Sequence, residues 1–191
     1  MNNHQHFKMY KPDGYLTQFI YTGRKRNKKL LGELYNFPEG TMAIGRLDQD
    51  SEGLLLLTTN GKVSNAIAGG KHIEKEYFVQ VDGVITQEKV NEIKEGVEIS
   101  LQGVKYTTQP CEVNILDYEP SFPLRNKNLR HPKHGPTSWI SVIITEGKFR
   151  QVRKMTSAVG LPTLRLVRVR IGDIKLGNLE KGEVKKFEKL F

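Results

Sequence analysis

The sequence predicts an α+β fold, in which helices flank a mixed or antiparallel β-sheet. Strand-like segments outnumber helical ones along the 191 residues. The two kinds of segment do not alternate strictly, as they would around a parallel sheet. A chain of 191 residues is long enough for one domain or for one domain with two lobes.

Two segments in the first half of the chain have strand patterns. Residues 53–58 form an apolar run that ends before Asn60 and Gly61, a common turn pair, which predicts a buried strand. Residues 75–81 alternate apolar and polar side chains, which is typical of a half-buried strand.

Two helices are predicted from apolar residues spaced three and four apart. The first follows Thr86, a good N-cap residue, and extends to Val97. The second spans 149–159, with Phe149 and Met155 among its core-facing residues, and ends before Gly160. The remaining strand-like segments are 104–108, 111–115, 139–145, 164–171 and a short one after residue 181. Pro110 separates the first two of them.

The charge balance indicates a polyanionic partner. Thirty Lys and Arg residues oppose 21 Asp and Glu residues, and the net charge is +9. Nucleic acid is the commonest partner of such a protein, because its phosphates release counterions when they are neutralised. A merely basic, soluble surface is the alternative.

The same composition excludes several other classes. No apolar run approaches the roughly 20 residues of a membrane helix. The polar N-terminus has no signal-peptide core. The single cysteine, Cys111, cannot form an internal disulfide or a Cys-rich zinc module. We therefore expect a cytoplasmic protein that does not bind a membrane.

Two basic segments lack a core pattern. Residues 24–29 hold five cations in six positions, and residues 120–136 combine cations with four prolines. Both are either solvated loops or basic extensions that lie on a nucleic-acid backbone, and the overall charge favours the second. Their candidate RNA-binding residues are Arg24, Lys25, Arg26, Arg130 and Lys133.

A basic helix face and a basic strand follow one another near the C-terminus. Arg150, Arg153 and Lys154 share one face of the second helix, because they lie three and four residues apart. In the next strand, Arg168 and Arg170 alternate with apolar residues. A solvated basic surface explains the helix, whereas arginines fixed along a strand also favour phosphate or carboxylate binding.

An acidic loop precedes the apolar strand. Residues 45–53 contain Arg46 and three carboxylates between two glycines. The residues alone leave a structural turn, a metal-binding turn and a catalytic carboxylate loop open, although the spacing does not fit an EF-hand. No phosphate-binding loop, dinucleotide fingerprint, zinc-protease motif or serine-hydrolase elbow is present. We therefore expect no cofactor and no metal.

Four motifs together resemble the RsuA/RluB/RluE branch of the RNA pseudouridine synthases. The resemblance covers about residues 10–187, and its most specific motif contains Asp48. The motifs are Lys11-Pro12-x-Gly14, the run from Gly45-Arg46-Leu47-Asp48 to Asn60-Gly61, Lys75-x-Tyr77-x-Val79, and Glu146 to Met155.

The resemblance implies a fold with two lobes around a basic cleft and a reaction that isomerises uridine in RNA. It implies that Asp48 is the catalytic carboxylate, that Arg153 is its cationic partner and that Tyr77 stacks on the extruded uracil. Arg46 would contact a flanking phosphate or fill the vacated stack. Many relatives have histidine where this chain has Arg150, which would contact the RNA backbone, as would Lys154 and Arg168.

The resemblance also implies the domain limits and the partner. Residues 1–9 would be a flexible N-terminus, and residues 10–188 the catalytic domain. Only 44 residues precede Gly45, so we expect no N-terminal S4 domain. The expected partner of this monomer is a stem-loop of ribosomal RNA, in the 23S large-subunit RNA, with the uridine flipped out. The alternatives are a non-catalytic RNA-binding ribosome-assembly factor and a different glycosidic-bond enzyme, which would need two suitably placed carboxylates.

Overall fold

The structure is a computed structural model that describes residues 4–23, 28–69, 73–125 and 134–187. The chain divides into two compact units: the first comprises Met1–Ile73 and Arg168–Phe191, and the second comprises Glu74–Val167. No helix in the described ranges is long and apolar enough to cross a membrane.

Strands dominate the described residues, as the sequence predicts. The helices are α1 Gly61–Gly69, α2 Gln87–Glu95 and α3 Gln151–Ala158, with a short 3₁₀ helix at Leu31–Glu33. The strands are β1 His6–Lys11, β2 Tyr15–Leu16, β3 Lys29–Leu30, β4 Met42–Ile44, β5 Glu52–Thr58, β6 Lys75–Asp82, β7 Glu98–Leu101, β8 Val104–Thr107, β9 Glu112–Leu116, β10 Thr137–Ile144, β11 Thr163–Ile171, β12 Ile174–Lys175 and β13 Val184–Phe187.

The first unit is built around β5, in which every residue is buried. β5 pairs antiparallel with β1 and β4, and β1 pairs antiparallel with β13. β1 and β5 together contribute Phe7, Met9, Leu55 and Leu57 to one apolar cluster, which also contains Leu31. The buried strand predicted at residues 53–58 is confirmed.

Two local features of the first unit differ from the sequence-based expectation. Residues 6–9, expected in a flexible N-terminus, belong to β1, because Phe7 and Met9 alternate with less buried neighbours and enter the core. Asn60 and Gly61 begin α1 instead of forming only a turn. The Asn60 Oδ1 atom accepts a hydrogen bond from the Lys62 amide at 3.1 Å. Because asparagine suits both turns and helix starts, the sequence pattern did not separate the two.

The second unit contains antiparallel strands β6, β10 and β9, with Tyr77 opposite Val142. The helix α2 packs against β9, and α3 packs against β7. Thr86 caps α2, as predicted, but the helix ends at Glu95. Gly96 follows with φ +107°, and a Cβ atom there would overlap the carbonyl oxygen of Thr108.

The α+β class with a mixed sheet is confirmed. β2 and β3 form a separate two-stranded parallel sheet, whereas the pairings around β1, β5 and β10 are antiparallel. The arrangement of two lobes around a basic cleft stays a prediction.

Candidate functional site

The loop that carries Asp48 connects β4 to β5 in the first unit. It begins at Gly45, whose φ of +70° is unfavourable for residues with a Cβ atom. Arg46 is exposed, Leu47 is buried, and Asp48 is half-buried. The Ser51 amide donates to the Asp48 carbonyl at 3.1 Å and closes a tight turn. The Asp48 side chain is therefore displayed on a short turn directly before a buried strand.

Thr17 fixes the residue immediately before Asp48. The Thr17 hydroxyl donates to the Leu47 carbonyl at 2.6 Å and accepts from the Leu47 amide at 3.1 Å. One buried hydroxyl thus satisfies both backbone polar groups of Leu47. Since an unpaired buried backbone group is costly, this pair of hydrogen bonds strongly favours one loop conformation.

Gln49 fixes the residue immediately after Asp48. Its backbone carbonyl accepts from the Gly14 amide at 2.7 Å, and its side-chain amide donates to the Gly14 carbonyl at 3.0 Å. Lys28 donates to the Gln49 side-chain oxygen at 3.1 Å. Asp48 is therefore flanked on both sides by residues that neighbouring segments hold in place.

Lys11 is a fully buried cation beneath this loop. Its ammonium group donates to the carbonyls of Ser51 at 2.8 Å and Pro12 at 2.9 Å. Burial lowers the pKa of Lys11 to about 7, although the carboxylates of Asp13, Glu52 and Asp50 oppose the shift. Lys11 therefore links the opening motif to the loop through main-chain oxygens.

Arg168 on β11 is also buried, and its side chain makes hydrogen bonds that connect β11 to the Asp48 loop. Its Nε atom donates to the Leu54 carbonyl at 2.8 Å, and its Nη1 atom donates to the Arg46 carbonyl at 3.4 Å. The residue is only 3% exposed. This placement differs from the predicted RNA contact, because the guanidinium binds backbone carbonyls on either side of Asp48.

Tyr77 and Arg153 belong to the second unit. Tyr77 lies on β6 and is 9% exposed, while Arg153 lies in the first turn of α3 and is partly buried. The neighbouring Gln151 and Val152 are buried and anchor this part of α3. Both candidate residues are thus on regular elements of the second unit, whereas Asp48 is on a loop of the first.

The segment that enters α3 is organised by Glu146. Its carboxylate accepts hydrogen bonds from the Tyr106 hydroxyl at 2.6 Å and the Gln109 amide at 2.9 Å, and also from the Gln151 side chain. The hydrogen bond to Glu146 raises the pKa of Tyr106 above its ordinary value. No role was predicted for Glu146 from the sequence, although it begins the motif that ends at Met155.

The predicted helix 149–159 begins two residues later than expected, at Gln151. Arg150 has a left-handed backbone with φ 52° and ψ 33°, so the chain turns sharply before the helix. Phe149 consequently is not in the core, as the spacing predicted, but is 68% exposed. The prediction that Phe149 packs inside is wrong, because helical periodicity does not extend through a left-handed residue.

The remaining predicted RNA-binding residues have different outcomes. Lys154 donates to the Ser100 carbonyl at 2.6 Å while staying near the surface. Arg165 of β11, which was not among the predicted RNA contacts, donates to the Pro123 carbonyl at 2.7 Å and is buried. The candidates Arg24, Lys25, Arg26, Arg130 and Lys133 lie outside the described residues.

The residues that hold the Asp48 loop were not predicted from the sequence, because their side chains form no recognisable motif. Thr17 and Gln49 gave no signal of their own. Within the described ranges, no three His, Cys, Asp or Glu side chains gather as metal ligands would.

Comparison with known proteins identifies the class. The sequence pattern of the RNA pseudouridylate synthases matches residues 5–158. The chain therefore belongs to the RNA pseudouridylate synthase family, whose enzymes are isomerases that convert uridine in RNA to pseudouridine. The resemblance inferred from the four motifs is confirmed.

Individual relatives narrow the similarity to one branch of the family. Proteins named ribosomal large subunit pseudouridine synthase E from Xanthomonas axonopodis pv. citri and Xanthomonas campestris pv. campestris are 42% and 41% identical to this chain. The alignments cover 88% and 91% of this chain and 86% and 90% of those proteins. A crystal structure of a pseudouridylate synthase matches 98% of this chain and 71% of its own, with 28% identity and a TM-score of 0.77.

Proposed function

We propose that this protein converts one specific uridine of ribosomal RNA, in the 23S RNA of the large subunit, to pseudouridine. Two relatives that align over most of their length are named for that subunit. The net charge of +9 suits a substrate with a dense phosphate backbone. We further propose that the protein acts as a monomer in the cytoplasm; sedimentation of the free protein tests the monomer.

The observation that carries the proposal is the conformation of the Asp48 loop. Hydrogen bonds from Thr17 and Gly14 hold the residues on either side of Asp48. A catalytic group that is held before substrate arrives loses little freedom during the reaction. The loop is therefore suited to present one carboxylate to a sugar carbon.

In the proposed reaction the uridine N1–C1′ bond breaks, the uracil turns, and C5 bonds to C1′. The C5 proton is then lost and N1 gains a proton, so the atoms balance without an oxidant or reductant. Asp48 acts either by attacking C1′ or through a glycal intermediate. Arg153 has the proposed role of cationic partner to this carboxylate.

Tyr77 has the proposed role of stacking on the uracil after it leaves the RNA helix. An enzyme that rearranges a base must extrude it, and an aromatic ring then replaces the lost stacking. Arg46, which is exposed two residues before Asp48, has the proposed role of contacting the flanking RNA.

Release of tritium from C5-labelled uridine in an unmodified 23S RNA transcript tests the proposal. Wild-type protein should release the label, and Asp48→Asn should release none while binding RNA within a few-fold of wild type. Asp50→Asn is the matched control, because it neutralises a carboxylate in the same loop and should keep most of the activity. Turnover by Asp48→Asn would exclude the proposed catalytic residue.

The competing function is a non-catalytic RNA-binding factor in ribosome assembly. It predicts steeply salt-dependent RNA binding without label release from any ribosomal RNA or assembly intermediate. Mapping pseudouridines in ribosomal RNA from cells with and without the gene would identify the modified uridine. An identical map in both strains would favour the non-catalytic factor.

A further inference from the structure

Phe149 is an aromatic side chain that the fold places in solvent. It is 68% exposed, although the spacing of apolar residues would put it beside Val152 and Met155, which are buried. The left-handed backbone of Arg150 separates Phe149 from α3 and turns its ring away from the core face. This large apolar ring is therefore exposed in the same motif as the buried residues Gln151, Val152 and Met155.

The conformation that exposes Phe149 is held by several hydrogen bonds. Glu146 accepts from groups on β8, on the segment after it and on α3. The Lys148 amide donates to the Gln151 side chain at 2.9 Å, and the Lys154 amide donates to the Arg150 carbonyl at 3.1 Å. A left-handed non-glycine residue is unfavourable and persists where its surroundings determine it, often at binding sites.

One cation lies at the exposed ring, and two more are its neighbours in the chain. The Lys154 ammonium lies 5.3 Å from the centre of the Phe149 ring and also donates to the Ser100 carbonyl, which limits its movement. Lys148 and Arg150 are the adjacent residues in the chain, and Lys148 is itself exposed. An apolar protein partner would have to dehydrate these charges, whereas a nucleic acid offers bases for the ring and phosphates for the cations.

We propose that Phe149 is a stacking platform for an unpaired base of the RNA substrate, with Lys148, Arg150 and Lys154 near the flanking phosphates. This inference rests on the proposed function, since it assigns Phe149 to the same RNA. Stacking on an aromatic ring tolerates any base, so the platform contributes affinity and local strand geometry without selecting a sequence.

Binding of a short single-stranded oligouridylate, compared with the same ribose-phosphate chain without bases, tests the platform. Phe149→Leu keeps an apolar side chain of similar volume but removes the aromatic face. It should weaken binding of the oligouridylate about ten-fold and leave binding of the abasic chain unchanged. Phe149→Tyr should restore the affinity. Fluorescence anisotropy at one fixed salt concentration measures each of these affinities.

Tyr118→Ala is the matched control, because Tyr118 is a 55% exposed aromatic residue of the same unit that lies between Asp117 and Glu119. It should not change the affinity for either probe. Equal affinities of wild type and Phe149→Leu for the oligouridylate would overturn the platform. So would an equal loss for both probes, because that loss would come from altered charge or conformation.

The two proposals fail differently. If wild type releases no C5 label from ribosomal RNA but Phe149→Leu loses base-dependent affinity, the proposed function fails and the platform stands. If wild type isomerises ribosomal RNA but the Phe149 variants bind both probes as wild type does, only the platform fails.

Discussion

The Asp48 loop and the segment that enters α3 are held in place in different ways. In the Asp48 loop, buried residues hold the backbone from inside: Thr17 holds Leu47, and Arg168 holds the carbonyls of Arg46 and Leu54. In the segment before α3, one carboxylate, that of Glu146, accepts hydrogen bonds from three places, and Lys148 and Phe149, which follow it, are exposed.

This difference shows that the charge of a motif residue does not predict whether that residue is exposed to a substrate or buried in the fold. Lys11, Glu52 and Arg168 are all buried in the first unit, where they organise the chain. In the second unit, an apolar residue of the motif, Phe149, is exposed to solvent. A fixed catalytic loop needs internal charges with partners, whereas an RNA contact needs side chains that remain accessible.

The largest effect is expected for Arg168→Met, which removes the buried guanidinium but keeps a long apolar side chain. Because two backbone carbonyls lose charged donors, we expect a loss of about 2–4 kcal/mol in the free energy of unfolding, measured by urea denaturation. Release of label should fall about 100-fold, because the Asp48 loop shifts. Arg170→Met is the control, since Arg170 lies on the same strand and donates to the nearby Gly172 carbonyl at 3.0 Å. Similar losses in both variants would contradict the special role of Arg168.

A smaller effect is expected for Glu146→Ala, which removes the acceptor that organises the other segment. Water can replace part of it, so we expect a stability loss of about 1–2 kcal/mol. Oligouridylate affinity should fall, because Phe149 loses its fixed position. The pKa of Tyr106 should also fall towards its ordinary value, since the hydrogen bond to Glu146 raises it. Alkaline ultraviolet titration measures this shift, and Glu92→Ala, an exposed carboxylate on α2, should leave it unchanged.

Thr17→Val should affect the Asp48 loop alone. Valine has nearly the same shape but leaves the amide and carbonyl of Leu47 without their partner. We expect a stability loss of about 1–2 kcal/mol and a fall in turnover of about ten-fold with a smaller change in KM. Thr17→Ser keeps the hydroxyl and should restore turnover. Failure of serine to restore it would show that the methyl group, and not the hydrogen bonds, matters.

The contrast between the two segments also explains what the sequence could predict. The apolar run of β5 and the Thr86 cap of α2 are local signals, and the structure confirms both. The Asp48 motif identified the family. Phe149 was misplaced because one left-handed residue interrupts a helical pattern without changing the spacing of apolar residues.

The support of the loop could not be predicted for a different reason. Thr17 and Leu47 are 30 residues apart, and Arg168 and Leu54 are 114 apart. Hydrogen bonds between a side chain and a distant backbone group depend on the complete fold and leave no periodic trace in the sequence. The alternation of Arg168 with valines therefore gave no sign that Arg168 is buried.

The buried Lys11 beneath the Asp48 loop should make the stability of the protein depend on pH. Burial lowers the pKa of Lys11 from 10.5 to about 7. Between these values the unfolded chain holds a proton at Lys11 that the folded chain has lost. Raising the pH above about 7 therefore stabilises the folded state by up to about 1.4 kcal/mol per pH unit. Below pH 7 Lys11 is protonated in both states, and its titration no longer changes the stability.

Lys11→Met removes this titration. The unfolding free energy of wild type minus that of Lys11→Met should stay level from pH 6 to about 7 and then rise towards pH 9, because only wild type gains from deprotonation. Urea denaturation at a series of pH values measures the difference, and a constant offset from lost hydrogen bonds does not alter its slope. A difference that stays level up to pH 9 would mean that Lys11 remains charged in the folded protein, held by Asp13, Glu52 and Asp50.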